Sequence, residues 1–177
     1  MTPITTCTNL TSVTMFDGVT SIGEAAFGHC YSLTNVTIPS SVTNIGISSF
    51  VYCTNLTSIY FRGNVPSIGM SAFDRDPNAI IYYLPGTTGW STNAGGLPAS
   101  LWRPQISEDG SFGVQSNQFG FNINWASGMV AVIEACTNLT DSDWTPIQTN
   151  TLSANSTYFS DPNWTNKATC FYRIVWQ

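Results

Sequence analysis

Residues 7–27, CTNLTSVTMFDGVTSIGEAAF, and residues 30–50, CYSLTNVTIPSSVTNIGISSF, decide the fold because they are two copies of one pattern. A third copy begins at Cys53, so Cys7, Cys30 and Cys53 recur at a constant interval. The apolar columns that keep this interval are Leu10/Leu33/Leu56, Val13/Val36/Ile59, Met15/Ile38/Phe61, Val19/Val42/Val65, Ile22/Ile45/Ile68 and Phe27/Phe50/Phe73. One unit cannot bury its own apolar side chains, whereas stacked units share a core. The pattern therefore predicts a solenoid of 23-residue repeats.

Each repeat is expected to contain two short strands, such as residues 10–15 and 19–22, joined by a polar turn. A helical or 3₁₀ turn is expected over residues 24–27. The glycines that end the second strand of each unit are Gly23, Gly46 and Gly69. This glycine column predicts either a positive φ or a close approach of the backbone at the corner of each coil.

The first two units resemble the BspA-type leucine-rich repeat of bacterial surface proteins. That family pattern reads approximately Cys-x-x-Leu-x-x-Ile-x-Ile-Pro, then Val-x-x-Ile-Gly, then Ala-Phe. Pro39 keeps the family proline, while Phe16 and Arg62 stand in its place in the other two units. The resemblance covers about residues 4–85. It implies a secreted or cell-surface protein whose role is adhesion to host or matrix proteins, or contact between cells.

The sequence predicts a mainly β chain with three parts. Residues 1–85 form the leucine-rich-repeat solenoid, with a last strand at 79–84. Residues 86–104 form a Gly/Pro/Trp-containing cap or linker. Residues 105–177 form a small antiparallel β-sandwich domain, because short alternating stretches are separated there by turn residues. The strand candidates of this domain, which resembles a C-terminal β module of some bacterial secreted repeat proteins, are 119–125, 129–136, 144–149, 157–160 and 170–176.

The composition excludes two classes of partner. Charged residues make up only 8% of the chain and the net charge is −5, so Thr, Ser and Asn must cover the surface, as is typical of extracellular β-rich proteins. The five basic residues are scattered, whereas nucleic-acid binding requires clustered cations. No stretch approaches the ~20 apolar residues that span a bilayer. We therefore expect no nucleic-acid partner and no membrane insertion.

The sequence offers no constellation for catalysis or metal binding. His29 is the single histidine and lies in a turn between repeats, so a catalytic triad or a zinc site would depend on this one residue. The Asp-x-Asp pairs at 74–76 and 141–143 fall in loops and supply too few oxygen ligands for calcium, which favours solvated turns. We expect no enzyme activity, no metal and no cofactor.

The five cysteines fall into two groups. Cys7, Cys30 and Cys53 occupy an inward column of the solenoid and are expected to be buried thiols. Cys136 and Cys170 lie on separate predicted strands of the second domain. Other residues are common at both places in the module that this domain resembles, so their joint appearance suggests a disulfide. Two buried thiols are the alternative, and a disulfide would favour an oxidising compartment.

Outward positions between the apolar columns form a regular, uncharged face. The candidate binding residues of this face are Thr11, Ser12, Thr14, Thr34, Asn35, Thr37, Thr57, Ser58 and Tyr60. Such a face fits contact with a protein or a glycan through hydrogen bonds. It fits equally well a scaffold on which threonines suit a β surface.

Three functions fit these features. The leading one is an extracellular interaction or adhesion module that binds a protein or glycan partner. The second is a self-assembling subunit of an extracellular filament, because a solenoid end without a polar cap can dock head-to-tail on another copy. The third is a carbohydrate-binding accessory module that uses exposed Trp125, Trp144 or Trp164, although aromatic side chains of this size more often belong to the core.

Overall fold

The computed structural model describes residues 7–107, 109–140, 143–166 and 168–176. The chain forms two compact units, Met1–Trp102 and Arg103–Gln177. Within the described residues, the regular structure consists of β-strands and one short 3₁₀ segment, Trp164–Asn166. The prediction of a mainly β protein is confirmed.

Two sheets of stacked strands form two sides of the first unit. Its strands are β1 (Ser12–Thr14), β2 (Ser21–Ile22), β3 (Asn35–Ile38), β4 (Asn44–Ile45), β5 (Ser58–Phe61), β6 (Ser67–Ile68), β7 (Ile80–Tyr83), β8 (Asn93–Ala94) and β9 (Leu97–Leu101). The larger sheet has the order β1-β3-β5-β7-β9-β8 and the smaller sheet has the order β2-β4-β6. Val13 pairs in parallel with Val36, which pairs with Ile59. The predicted 23-residue repeat is therefore one coil of a solenoid.

The third side of each coil is a turn segment and not a helix. The backbone N–H of Ala25 donates to the carbonyl of Ile47 in the next coil at 3.0 Å. A positive φ recurs in every coil, with values of 50°, 54° and 55° at Ala25, Ser48 and Ser71. Because a right-handed helix requires a negative φ, the helical or 3₁₀ turn expected over 24–27 does not form.

The glycine column lets neighbouring coils approach closely. A Cβ atom on Gly46 would lie 2.7 Å from the backbone nitrogen of Glu24, and one on Gly69 would lie 2.7 Å from the carbonyl carbon of Gly46. None of the three glycines in the column has a positive φ. Of the two alternatives that the sequence left open, the structure shows the close approach.

The inward columns share one core. Leu33 and Leu56 are completely buried, and Leu10 in the first described coil is partly buried against the same cluster. The phenylalanine column forms a continuous stack, with ring centroids 5.1 Å and 5.5 Å apart along Phe27, Phe50 and Phe73. Each such ring pair adds about 0.5–1.5 kcal/mol beyond the burial of its area.

The stretch 86–104, expected as a cap or linker, contains β8 and β9. β9 pairs in parallel with β7, and β8 folds back antiparallel on β9. The ring of Trp90 stacks on that of Tyr83 with centroids 5.1 Å apart, and its Nε1–H donates to the carbonyl of Gly63 at 3.2 Å. The ladder of the larger sheet therefore continues after the repeat pattern ends.

The second unit is built from two antiparallel sheets. Its strands are β10 (Gln105–Ile106), β11 (Gly113–Gln115), β12 (Gln118–Asn124), β13 (Val130–Cys136), β14 (Thr145–Thr151), β15 (Ser156–Asp161) and β16 (Phe171–Trp176). One sheet has the order β10-β12-β11, with β15 also paired to β12, and the other has the order β14-β13-β16. The sheets face each other, since the Tyr172 ring of β16 lies 4.9 Å from that of Phe119 and 5.8 Å from that of Phe159. The predicted small β-sandwich is confirmed.

Candidate interaction face

Six of the nine candidate residues form two outward columns on the larger sheet. The pairs in register give the columns Ser12/Asn35/Ser58 and Thr14/Thr37/Tyr60. The residues that alternate with them, Val36 and Ile59, are completely buried. Because successive side chains of a strand point to opposite faces, both columns lie on the outer face of the sheet. We call these two columns the outer face.

The other three candidates, Thr11, Thr34 and Thr57, hold the coils together. The hydroxyl of Thr57 donates to the backbone carbonyl of Thr34 at 3.1 Å, and the hydroxyl of Thr34 donates to the carbonyl of Thr11 at 3.4 Å. The backbone N–H groups of Thr57 and Thr34 donate to the same two carbonyls at 2.9 Å and 3.3 Å. The hydroxyl protons of Thr34 and Thr57 serve the solenoid itself, and Thr11 takes part through its carbonyl, so this column supports the scaffold interpretation.

The Thr14 column continues beyond the repeats into an aromatic cluster. Tyr60 pairs in register with Tyr82, which pairs with Ser100 of β9. The Tyr60 ring centroid lies 5.3 Å from that of Tyr82 and 4.5 Å from that of Trp102. We call Tyr60, Tyr82 and Trp102 the aromatic cluster. It extends the outer face past the last residue that the sequence had assigned to it.

Sequence reasoning missed Tyr82 because the coil that carries it is shorter than the repeat by a single position. Ile59 pairs with Ile81, whereas the constant interval of the repeat would have matched it with Tyr82. Aligning the two isoleucines, both completely buried, would have placed Tyr82 directly after Tyr60 in the column. Trp102 follows β9, where no repeat pattern remains to align.

His29 lies between two tyrosines. Its ring stacks on that of Tyr52 with centroids 5.0 Å apart, and its Nδ1 lies 3.0 Å from the hydroxyl of Tyr31. In the part of the chain that the structure describes, no group of three or more His, Cys, Asp or Glu side chains could hold a metal ion.

The acidic pair at 74–76 is not a solvated turn, because Asp76 is buried. Its side chain is 2% exposed, and burial raises its pKa to about 7, with a further upward contribution from the charge of Asp74. In the other pair, Asp143 is exposed, and Asp141 lies outside the described residues.

The solenoid cysteines form one column, as expected, but they differ in burial. Cys30 and Cys53 are buried, whereas Cys7 is exposed in the first described coil. Burial raises the pKa of the Cys53 thiol to about 12, and the nearby Asp76 carboxyl contributes in the same direction. Because a thiol must ionise to act as a nucleophile, the raised pKa disfavours reaction at Cys53 near neutral pH.

Cys136 and Cys170 are not joined by a disulfide in the structure, although both lie among the described residues. Cys136 pairs in register with Phe171 across β13 and β16. Paired residues of an antiparallel ladder point to the same face, and the next residue points to the other. Cys170 directly precedes Phe171 and lies outside β16, so it is next to the partner of Cys136 and not opposite Cys136 itself.

The three tryptophans of the carbohydrate alternative do not present open ring faces together. Trp125 is 1% exposed and belongs to the core. The guanidinium carbon of Arg173 lies 4.4 Å from the centroid of the Trp144 ring. Trp164 is partly buried and donates its Nε1–H to the carbonyl of Asn117 at 3.2 Å.

A coil of parallel strands with inward leucine columns defines a leucine-rich-repeat solenoid, a fold that serves as a scaffold for protein interaction. Residues 5–88 match the family model described as BspA type Leucine rich repeat region, in six copies, so the chain carries a BspA-type leucine-rich-repeat region. This family is associated with surface adhesion and protein interaction, and its members are typically secreted or held at the cell surface.

Comparisons with curated proteins and with solved structures found no match. Among the described residues, no helix is both long and apolar enough to cross a membrane.

Proposed function

We propose that this chain is an extracellular interaction module that binds a protein partner through the outer face and the aromatic cluster. The observation that carries the proposal is the aromatic cluster, which interrupts an otherwise regular column of hydroxyl side chains on the outside of the sheet. Tyrosine and tryptophan are the residues that most often dominate the binding energy of protein interfaces. The flanking Ser, Thr and Asn side chains supply hydrogen bonds without charge.

The ring geometry favours a protein over a glycan as the partner. Tyr60 is covered by Tyr82, whose ring is inclined by only 23°, and by Trp102, whose centroid is 4.5 Å away. A sugar that stacks on an aromatic side chain needs an open ring face, and Tyr82 and Trp102 reduce the open area of the Tyr60 ring. Ring edges and phenol hydroxyls suit a protein partner, whose side chains and backbone carbonyls complement them.

The chain offers a matched pair of variants to test this face. Asn35 and Asn44 belong to the same repeat, both are exposed, and each begins a strand, one in the larger sheet and one in the smaller. Each side-chain amide donates one hydrogen bond to a neighbouring hydroxyl, at 3.1 Å for Asn35 and 3.2 Å for Asn44. A lysine at either position therefore adds the same charge at a similar structural cost.

We expect the purified chain to bind at least one of immobilised fibronectin, fibrinogen and collagen, measured by biolayer interferometry. Asn35→Lys should weaken that binding about tenfold or more, which corresponds to a loss of about 1.4 kcal/mol of binding free energy. Asn44→Lys should leave the binding unchanged. Equal effects of the two variants would refute the assignment to the outer face. Binding on a glycan array together with silence on all protein surfaces would refute the choice of a protein partner.

A second candidate function is self-assembly, favoured by the apolar surface of the first described coil. Phe16 is 77% exposed and Val19 is 37% exposed. They line a cavity of about 320 Å³ together with Val13, Met15 and Phe27. Exposed apolar surface of this kind is typical of a contact site.

Self-assembly is tested by light scattering at rising concentration. If copies associate head-to-tail through this coil, the mass of the wild-type chain should grow with concentration, and Phe16→Ser should abolish the growth. A constant monomer mass for the wild-type chain up to millimolar concentration would exclude this candidate.

A further inference from the structure

The cysteine column of the solenoid ends in a carboxyl group. Cys7, Cys30 and Cys53 are followed at the same interval by Asp76, which begins the turn that leads into β7. The Asp76 side chain is 2% exposed. Among the described residues, neither of its carboxyl oxygens has a hydrogen-bond donor. A polar side chain therefore occupies a position that the preceding coils fill with thiols.

The groups around Asp76 compensate a negative charge only weakly. The backbone N–H of Cys53 favours the carboxylate, but it lowers the pKa of Asp76 less than burial raises it. The preceding coil presents Cys53, whose thiol stays neutral, and Asp74 in the same turn adds a second negative charge. The guanidinium of Arg75 is turned towards the Tyr52 ring, 6.0 Å from its centroid. On the other side lies the segment 95–97, Gly-Gly-Leu, which completes the lining of a cavity of about 290 Å³ and carries no titratable side chain.

A neutral carboxyl group is tolerated in such a place far better than a carboxylate. An ionised group without a partner loses its hydration on burial, and this cost drives the group to take up a proton. Burial accordingly raises the pKa of Asp76, to about 7. In the unfolded chain the same group is ionised above about pH 4.

We propose that Asp76 makes the solenoid a pH-sensitive structure, in which the protonated carboxyl closes the cysteine column and its ionisation loosens the turn that leads into β7. Below the ordinary pKa of 3.8 the group is protonated in both the folded and unfolded chains, so it adds no pH dependence there. Between that value and about 7 the folded chain holds a proton that the unfolded chain has lost, so stability falls as pH rises. Above about 7 the destabilisation is complete and constant. The coil that becomes loose supplies Tyr82 to the larger sheet.

The test compares the wild-type chain with Asp76→Asn, Asp76→Cys and the control Asp74→Asn, by urea unfolding between pH 4.5 and 8.5. Asp76→Asn replaces the titratable carboxyl group by an amide of nearly the same shape. Asp76→Cys extends the cysteine column by one more thiol. Asp74→Asn removes a neighbouring exposed charge. Hydrogen exchange of peptides that contain residues 74–84 reports the same equilibrium locally.

We expect the unfolding constant of the wild-type chain to rise by up to about tenfold per pH unit between pH 4.5 and 7, relative to either Asp76 variant. Both variants should be more stable than the wild-type chain at pH 8.5, with slower exchange in residues 74–84, and Asp74→Asn should keep most of the wild-type slope. The proposal is overturned if the Asp76 variants keep the full wild-type pH slope, or if both are less stable at pH 8.5. It is equally overturned if Asp74→Asn alone abolishes the slope.

Discussion

Replacing Gly46 by alanine should separate two coils of the solenoid, whereas the same change at Gly23 should not. The added Cβ of Gly46→Ala would lie 2.7 Å from the nitrogen of Glu24 and 2.8 Å from the carbonyl carbon of Gly23, both backbone atoms that cannot turn aside. At Gly23, the first position of the same column, a Cβ meets no described atom within 4 Å. One glycine column thus contains both the perturbation and its control.

The expected magnitude follows from the hydrogen bonds beside the clash. Ordinary contact of a Cβ begins at 3.4 Å, so the backbones must part by roughly 0.7 Å. The Gly46 N–H donates to the carbonyl of Ile22 at 2.8 Å, and the Ala25 N–H donates to that of Ile47 at 3.0 Å. Such a shift weakens both bonds, at about 0.5–1.5 kcal/mol each, in addition to about 1–3 kcal/mol for overpacking. Subtracting about 0.4–1 kcal/mol for the stiffer unfolded chain leaves a net loss of about 1–5 kcal/mol, centred near about 3 kcal/mol.

The assay is unfolding in urea, monitored by hydrogen exchange of peptides from the solenoid. The exchange of these peptides reports on the solenoid separately from the β-sandwich. With a slope of about 1–3 kcal/mol per molar urea, the midpoint of Gly46→Ala should fall by about 1 M or more. Gly23→Ala should unfold at the wild-type midpoint or slightly above it, because only the entropy of its unfolded chain changes. Equal midpoints for the two variants would refute the idea that the column exists for close approach.

Three further outcomes are expected. Phe50→Ala should destabilise the solenoid by about 3–5 kcal/mol in the same assay, because Phe50 is completely buried in the centre of the phenylalanine stack. In the native chain at pH 8, iodoacetamide should label the exposed Cys7 and leave Cys53 unmodified, as read by peptide mass, because burial raises the pKa of the Cys53 thiol to about 12. After unfolding without a reductant, Cys136 and Cys170 should both take the label, and protection of that pair would contradict their separation in the structure.

The sequence was sufficient to predict the solenoid because its physical cause is itself periodic. Every coil must place an apolar side chain over the one below, so a constant interval in the sequence becomes a vertical column in space. Alternation in the second unit was informative for the same reason, since Phe121 and Ile123 of β12 both point into the core. These inferences needed only the period and the polarity of the residues.

Other features depend on geometry that residue types do not encode. Two columns of positive φ run along the coils, at Ala25/Ser48/Ser71 and His29/Tyr52/Arg75, and neither contains the glycine or asparagine that usually marks such a conformation. At Ala25 and Ser48 the backbone N–H donates to the adjacent coil, to the carbonyl of Ile47 at 3.0 Å and to that of Met70 at 3.1 Å. A tertiary contact thus overrides the local preference of the residue.

The cysteine column contains a buried position that the repeat interval also predicts. Asp76 follows Cys53 at the interval of the repeat and could have been assigned to the buried column from its number alone. The expectation that an Asp-x-Asp pair lies in a solvated turn concealed this position. The repeat was thus the stronger predictor of burial, and residue type was the weaker one.

On the outer surface of the solenoid, positions that follow the repeat and positions that depart from it have different meanings. In the column of Thr11, Thr34 and Thr57, the hydroxyls of Thr34 and Thr57 each donate to a carbonyl of the preceding coil, so regular repetition of a polar residue here is explained by the scaffold. The change from threonine to Tyr60 and Tyr82 in the neighbouring column departs from the repeat, since Thr37 occupies the same place in β3 with the same pairing. In a repeat protein, side chains that maintain the coil must follow the period, and those that serve a partner need not. We therefore expect the departure from the repeat to be the better guide to the residues of the proposed binding face.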